Sequence, residues 1–337
     1  MRRLRRSDCS TAGIRRRVRG RGFEYVDGRT GERIEDGETL ERIAALAVPP
    51  AWTDVWICAD PFGHLQAVGT DDAGRRQYRY HDRWLERRAQ QKFDQMLRFA
   101  RVLPEVRLLT EHHLRKRGLK RERVLAGAVR LLDLGFFRIG SEEYAEDNGT
   151  FGLATMRRRH VRLEPNSLLV FDYTAKGRKR HVQAVADRSV HRLVRELKER
   201  DGAGEELLAY RDGEGWRDVR STEINDYLKE LAGEEFTAKD FRTWNGTVLA
   251  AVALALAEPP SSERARKRAI SQAVAEVAGF LGNTPAVARS AYIDPRLIDH
   301  FREGVTIASA LDGALPDSLE GVDVRGPIEE AVLDLLA

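Results

Sequence analysis

Tyr292 closes the segment Gly282-Asn283-Thr284-Pro285-Ala286-Val287-Ala288-Arg289-Ser290-Ala291-Tyr292, which sets a phenol at the end of a short helix downstream of a polar turn. A phenol with a pKa of about 10 is a poor nucleophile at neutral pH unless neighbouring groups assist it. Three basic residues lie upstream in separate contexts: Arg138 in Phe136-Phe137-Arg138-Ile139-Gly140, Lys176 in Ala175-Lys176-Gly177, and Arg242 in Lys239-Asp240-Phe241-Arg242-Thr243-Trp244. If they converge on Tyr292, they complete a phosphate-binding site around it. Each also has an ordinary reading. Arg138, in an apolar segment, can pair with Glu142 or Glu143, and Arg242 with Asp240. Tyr292 can be a core aromatic with a wet hydroxyl, and Asn283 a helix-end residue. No Walker loop, HExxH, His/Asp pairing or pair of metal-binding carboxylates competes, so the chain offers a cationic site rather than a metal site.

With 337 residues, 42% hydrophobic and 33% charged, the chain has a soluble globular composition and room for two domains. Its 57 Lys and Arg stand against 53 Asp and Glu, a net charge of +4, but the basic residues are clustered. Arg2, Arg3, Arg5 and Arg6, then Arg15, Arg16, Arg17, Arg19 and Arg21, read as a mobile basic tail over 1–21. Further clusters fall at Arg75-Arg76, Arg115-Lys116-Arg117, Lys120-Arg121 and Arg157-Arg158-Arg159. Several such groups favour a polyanion partner, nucleic acid ahead of membrane. Cys9 and Cys58 are too few for a disulfide framework and lack zinc-site spacing, which fits a reducing cytoplasm. There is no apolar signal region, and the longest apolar stretch, Val248 to Ala257, is too short to span a bilayer.

These residues need elements to position them. Residues 22–81 read as strand-rich: Phe23 to Val26, Val55 to Cys58, His64 to Gly69 and Arg75 to Tyr80, separated by turns such as Asp71-Asp72-Ala73-Gly74. In the last of these, Arg76, Tyr78 and Tyr80 alternate with Arg75, Gln77 and Arg79, predicting an aromatic face and a basic face. Helical spacing begins after His81, so a domain boundary is expected there. A helix rich in Val124, Leu125, Ala128, Leu131 and Leu132 delivers Arg138 near its end. Ser167 to Tyr173 and His181 to Ala186 form a hairpin carrying Lys176 in its loop. Helices follow over Ser189 to Arg200, Glu223 to Ala232, Lys239 to Ala257, and Glu263 to Leu281, the last stopped by Gly282; Thr284 and Pro285 start the one that ends at Tyr292.

In order and local context, the series Phe137-Arg138-Ile139-Gly140, Ala175-Lys176, Lys239-Asp240-Phe241-Arg242-Thr243 and Gly282-Asn283-Thr284-Pro285 through Tyr292 resembles the small type IB DNA topoisomerases of bacteria and poxviruses. Gln66-Ala67-Val68-Gly69 and Gly74-Arg75-Arg76-Gln77-Tyr78 are similar to the DNA-facing sheet of that family's amino-terminal domain, and Asn148-Gly149-Thr150-Phe151-Gly152-Leu153-Ala154-Thr155 to its segment after the first arginine. The resemblance covers about residues 22–303. It implies an α+β chain: a small antiparallel-sheet domain over 22–81, then a mainly helical catalytic domain with a small β-hairpin over 82–304, in the fold shared with tyrosine recombinases. Residues 305–337 lie outside it and carry no functional reading.

The resemblance further implies that Tyr292 attacks a DNA phosphodiester to give a 3′-phosphotyrosyl enzyme. Arg138 and Arg242 would clamp the nonbridging oxygens, and Lys176 would protonate the leaving 5′-oxygen. Gln66, Arg75, Arg76, Gln77, Tyr78, Tyr144 and Arg289 would face DNA. No cofactor or ATP is implied, although divalent cations are expected to speed DNA release. The expected partner is duplex DNA, preferably supercoiled, enclosed by a monomeric clamp in the nucleoid of the cytoplasm. Asn283 departs from the family, many members of which have histidine there. It can donate a hydrogen bond to a nonbridging oxygen but cannot carry charge or transfer a proton. A tyrosine recombinase and a noncatalytic DNA-binding protein of the same fold are the alternatives.

Overall fold

The computed structural model describes residues 3–202, 204–213, 215–258, 260–311 and 325–337, the side chain of Tyr144 excepted. Two compact units divide at residue 92. The first contains β1 (Ile14–Arg19), β2 (Gly22–Asp27), α1 (Gly37–Ala45), β3 (Thr53–Ile57), β4 (Leu65–Thr70) and β5 (Arg76–Tyr80). Its strands form one antiparallel sheet in the order β2-β1-β3-β4-β5. Period-two alternation gives this sheet two apolar sides, one with Ile14, Val55, Ile57 and Ala67 against Ile43 of α1, the other with Trp56, Cys58, Leu65 and Val68.

The expected basic tail is corrected here. Ile14–Arg19 is strand β1, paired with β2 on one side and β3 on the other. Its arginines conceal an alternation that buries Ile14, and one of them is structural. The Arg16 guanidinium donates to the carbonyls of Pro49 at 3.0 Å, Pro50 at 3.3 Å and Trp52, and lies 4.1 Å from the Phe23 ring centroid. α1 also went unread in the sequence, although Asp36 caps it by accepting from the Thr39 amide at 2.8 Å.

The second unit is mainly helical. It holds most of α2 (Asp82–Leu114), then α3 (Arg121–Gly135), α4 (Glu142–Asn148), β6 (Val161–Glu164), β7 (Leu168–Ala175), β8 (Lys179–Ala186), α5 (Arg188–Glu199), β9 (Ala209–Asp212) and β10 (Gly215–Asp218). α6 (Ser221–Ala232), α7 (Ala238–Leu256), α8 (Glu263–Leu281), α9 (Pro285–Tyr292), α10 (Pro295–Arg302) and α11 (Pro327–Leu336) complete it. β6, β7 and β8 form a three-stranded sheet, and β9 pairs with β10. The architecture is the α+β arrangement expected from the sequence, an antiparallel sheet followed by a helical unit with a small sheet.

α7 is the centre of this unit. Every residue from Phe241 through Val252 is buried, the pattern of a helix covered on all sides. Thr237 and Asp240 form its capping box, which fixes the start of the helix that carries Arg242. α11, in the segment left without a reading, packs onto α7. The Glu329 carboxylate accepts from Trp244 Nε1 at 2.7 Å and from Arg107 Nη2 at 2.9 Å, and Arg107 Nη2 also donates to Asp133 at 2.8 Å. One largely buried ionic network therefore joins α2, α3, α7 and α11. The Arg157-Arg158-Arg159 cluster is likewise used internally. Arg157 and Arg159 pair with Glu205, and Arg158 donates to the Arg200 carbonyl at 3.2 Å.

Removing one member of a buried ion network leaves its partners uncompensated. Glu329→Ala is expected to lower unfolding free energy by about 3 kcal/mol in a denaturant titration, whereas Glu330→Ala stays within about 0.5 kcal/mol of wild type.

Candidate active site

Arg242 and Gly246 are four residues apart on α7 and therefore share a face of the helix. Gly246 lets the end of α9 approach: a Cβ there would lie 2.8 Å from the Tyr292 carbonyl oxygen and 3.1 Å from its Cβ. Thr247 holds the same carbonyl, donating to it at 3.2 Å. Tyr292 is thus seated on α7 with its ring beside Arg242, whose guanidinium carbon is 5.1 Å from the ring centroid.

Arg242 is almost fully buried and makes no ion pair among the described residues. It donates to the Phe136 carbonyl and, at 2.8 Å, to the Leu281 carbonyl. These oxygens stand at the C-terminal ends of α3 and α8, where the helix dipoles concentrate partial negative charge. Asp240 does not take the pairing role open to it in the sequence. It accepts from the Thr237 amide at 2.8 Å, inside the capping box.

Arg138 follows the same rule. One nitrogen, Nη2, donates to the Gly282 carbonyl at 2.9 Å and to Asn283 Oδ1. Glu142 is occupied elsewhere, accepting from the Ser221 amide at 2.8 Å and hydroxyl at 3.1 Å. Because Arg138 holds the amide oxygen of Asn283, the amide nitrogen Nδ2 points away from that bond, and it is buried with no partner among the described residues. Arg242 Nε is in the same condition. The unpartnered Asn283 amide nitrogen beside two arginines suits a receptor for anionic oxygens.

The electrostatics separate two tyrosines. Burial pushes the Tyr173 phenol of β7 up to about 12, despite the charges of Arg138 and Arg242. Burial also acts upward on Tyr292, but the charge and hydrogen bonding of Arg242 and the charges of Arg138 and Lys239 outweigh it, leaving this phenol below its ordinary value. Only Tyr292 is favoured to expose negative oxygen. Burial, with Arg138 next, disfavours the Arg242 charge, yet a guanidinium stays protonated throughout the working pH range.

The structure therefore brings together Tyr292, Arg138, Arg242 and Asn283. Lys176 occupies the exposed turn between β7 and β8, where Gly177 has φ +81° and Arg178 φ +59°. The same hairpin pairs Tyr173 with His181 and sets both beside the arginines. Tyr173, His181, Lys239 and Gly246 were missed as site residues. The cross-strand register of the hairpin is the signal that could have pointed to the first two, and the i,i+4 spacing from Arg242 the one for Gly246.

Residues 81–303, most of the chain, match the family model described as Eukaryotic DNA topoisomerase I, catalytic core, and residues 22–71 match Bacterial DNA topoisomerase IB, N-terminal domain. The chain belongs to the type IB DNA topoisomerases. A DNA topoisomerase 1B of Acanthamoeba polyphaga mimivirus is 29% identical over 290 residues, covering 83% of this chain and 85% of that protein. The DNA topoisomerase 1B of Vaccinia virus (strain Copenhagen) is 22% identical over 280 residues, covering 80% and 84%. A DNA topoisomerase 1 of Candidozyma auris is 32% identical over 127 residues, 37% of this chain but 16% of that protein. The topoisomerase is an isomerase that binds duplex DNA.

Among the residues expected to face DNA, Gln66 must be withdrawn. It is 3% exposed, its amide nitrogen donates to the Gly63 carbonyl at 2.7 Å, and its oxygen accepts from Arg42 at 2.7 Å. Both ends are used inside the sheet unit. Arg75 and Gln77 bond Asp71 in the preceding turn, at 2.9 Å each. On the exposed face of β5, an edge strand of the topoisomerase sheet, Tyr78 and Tyr80 stack with ring centroids 6.1 Å apart, and Arg76 lies in line with them. The opposite face carries Arg79, which donates to the Ala47 carbonyl at 3.1 Å. Arg289 is exposed on α9. Tyr144 falls in α4, and its side chain lies outside the described residues.

Removing the Arg242 charge must raise the Tyr292 ionisation midpoint. In a spectrophotometric titration read against Tyr292→Phe, the wild-type phenol should titrate below a free tyrosine and Arg242→Gln should shift it upward. An unmoved midpoint would show that Arg242 does not polarise the phenol.

Proposed function

We propose that this topoisomerase relaxes supercoiled DNA by transesterification through Tyr292. The phenolic oxygen attacks a backbone phosphorus in line, the O–P bond forms as the P–O5′ bond breaks, and the product is a 3′-phosphotyrosyl enzyme with a free 5′-hydroxyl. The phenol proton goes to solvent, and the leaving O5′ takes a proton from Lys176. The observation that carries this reading is the seating of the Tyr292 ring against Arg242, with Arg138 held at the adjoining Gly282 turn and neither guanidinium paired with a carboxylate among the described residues.

Arg138, Arg242 and Asn283 Nδ2 act as donors to the nonbridging oxygens, where charge grows in the transition state. Because the new ester keeps the free energy of the one it replaces, rotation of the broken strand and reattack by the 5′-hydroxyl need no ATP. The arginine charges serve the electrostatic role that a metal plays elsewhere, so no cofactor is required and divalent cations stimulate DNA release. We include in this proposal the monomeric clamp on duplex DNA that the resemblance implies. The exposed Arg76, Tyr78 and Tyr80 row suits contact with backbone phosphate and sugar.

The test is relaxation of a negatively supercoiled plasmid, without ATP and with a chelator present. Wild type should relax it, Tyr292→Phe should bind but not relax it, and Arg138→Ala or Arg242→Ala should slow single-turnover cleavage by about 10²–10³-fold. Relaxation by Tyr292→Phe would overturn the assignment. If about six phosphates are contacted, log Kobs for DNA should fall with log salt at a slope near −5. A slope near zero would contradict the clamp.

A further inference from the structure

We propose that His181 of β8 is a further phosphate-facing residue of the reaction site, supplying from the hairpin the imidazole that position 283 lacks. The inference rests on the transesterification reading above and extends its set of ligands. Its geometric basis is the Gly282 turn. Gly282 takes φ +60°, and the space where a side chain would begin is lined by His181 Nδ1 at 3.4 Å, His181 Cε1 at 3.5 Å and Arg138 Nη1 at 3.6 Å. Asn283 adjoins this gap in sequence and holds its own unpartnered Nδ2. Nitrogens of His181 and Arg138, from separate parts of the fold, thus flank one glycine that carries no side chain, next in sequence to the unpartnered amide of Asn283.

The ring is held rather than loose. It pairs across the hairpin with Tyr173, ring centroids 5.6 Å apart at 77°. Partly exposed, it keeps an open side. The groups that act on it are the two cations Arg138 and Arg242, the neutral Tyr173 and, on its own strand, Gln183. Among the described residues no carboxylate acts on it. Burial first, then Arg138 and Arg242, hold the imidazole below its ordinary value and hence neutral at neutral pH. A bound phosphodiester brings the first anion to this environment. The imidazole then gains a proton and donates it in a hydrogen bond to a nonbridging oxygen, with no covalent bond of its own changed. This is a charged contact that Asn283 cannot make.

Single-turnover cleavage of a duplex whose cleaved end dissociates tests the idea, with DNA affinity measured in parallel on wild type, His181→Ala, His181→Asn and Tyr292→Phe. His181→Ala should cleave about tenfold or more slowly at about pH 6, a loss larger than the one it shows in DNA affinity, with both deficits shrinking as pH rises toward about 9. His181→Asn, whose amide can place a neutral donor near the Nδ1 position, should recover part of the rate and lose the pH dependence of the ratio. If the alanine variant does not fold, the flattened profile of the asparagine variant decides alone. Wild-type rates in both variants, or a pH-independent deficit that asparagine does not relieve, would overturn the proposal. Absence of a Tyr292-dependent adduct in wild type would instead overturn the transesterification reading.

Discussion

Everything at this site depends on two guanidinium groups held by neutral oxygens. Burying a cation is costly unless acceptors replace its water, and a carboxylate would do so most strongly while cancelling the charge. Here the acceptors are carbonyls at the ends of α3 and α8, together with an amide oxygen. They satisfy both terminal nitrogens of Arg242 and one of Arg138, and leave the positive charge for a ligand. The acids near in sequence are held in other bonds, Glu142 on Ser221 and Asp240 in its capping box.

This constraint explains why the surrounding elements are arranged as they are. α3 and α8 must end where α7 presents Arg242, so Phe136 takes φ 54° and Gly282 φ 60° to turn the chain away. α9 must then return close enough for Tyr292 to lie against the same guanidinium, which the missing side chain of Gly246 permits. The network of Arg107, Asp133, Glu329 and Trp244 fixes α7 from its other side, so a carboxylate from the end of the chain supports the helix that carries the buried charge. Stability and chemistry therefore meet on α7.

Much of this was legible before any fold was known. α8 and the α9 segment have strong punctuation, a glycine stop at 282, a threonine cap at 284 and proline at 285, and they run as expected. The hairpin was legible from its alternating pattern. β1 was not, because five arginines in a short stretch look like a solvated tail, and burial of Ile14 with capture of Arg16 by four carbonyls is a tertiary effect. Gln66 departs in the opposite direction: the resemblance implied a DNA-facing residue, whereas its buried amide fastens the loop over 60–63. Motif order pointed to Arg138, Arg242, Asn283 and Tyr292, but no spacing could show that the arginines have carbonyl rather than carboxylate partners among the described residues. His181 escaped notice because it is five residues past Lys176, and only the cross-strand register turns it toward the Gly282 turn.

The central claim is that one phenol, and not its buried neighbour Tyr173, attacks DNA. The most direct measurement traps the enzyme on supercoiled DNA with denaturant, in the presence of a chelator and without ATP, and maps both the peptide and the DNA end that are joined. The account predicts linkage of Tyr292 to a 3′-phosphate with a free 5′-hydroxyl on the other strand end. Linkage through another residue, or to a 5′-phosphate, would contradict it.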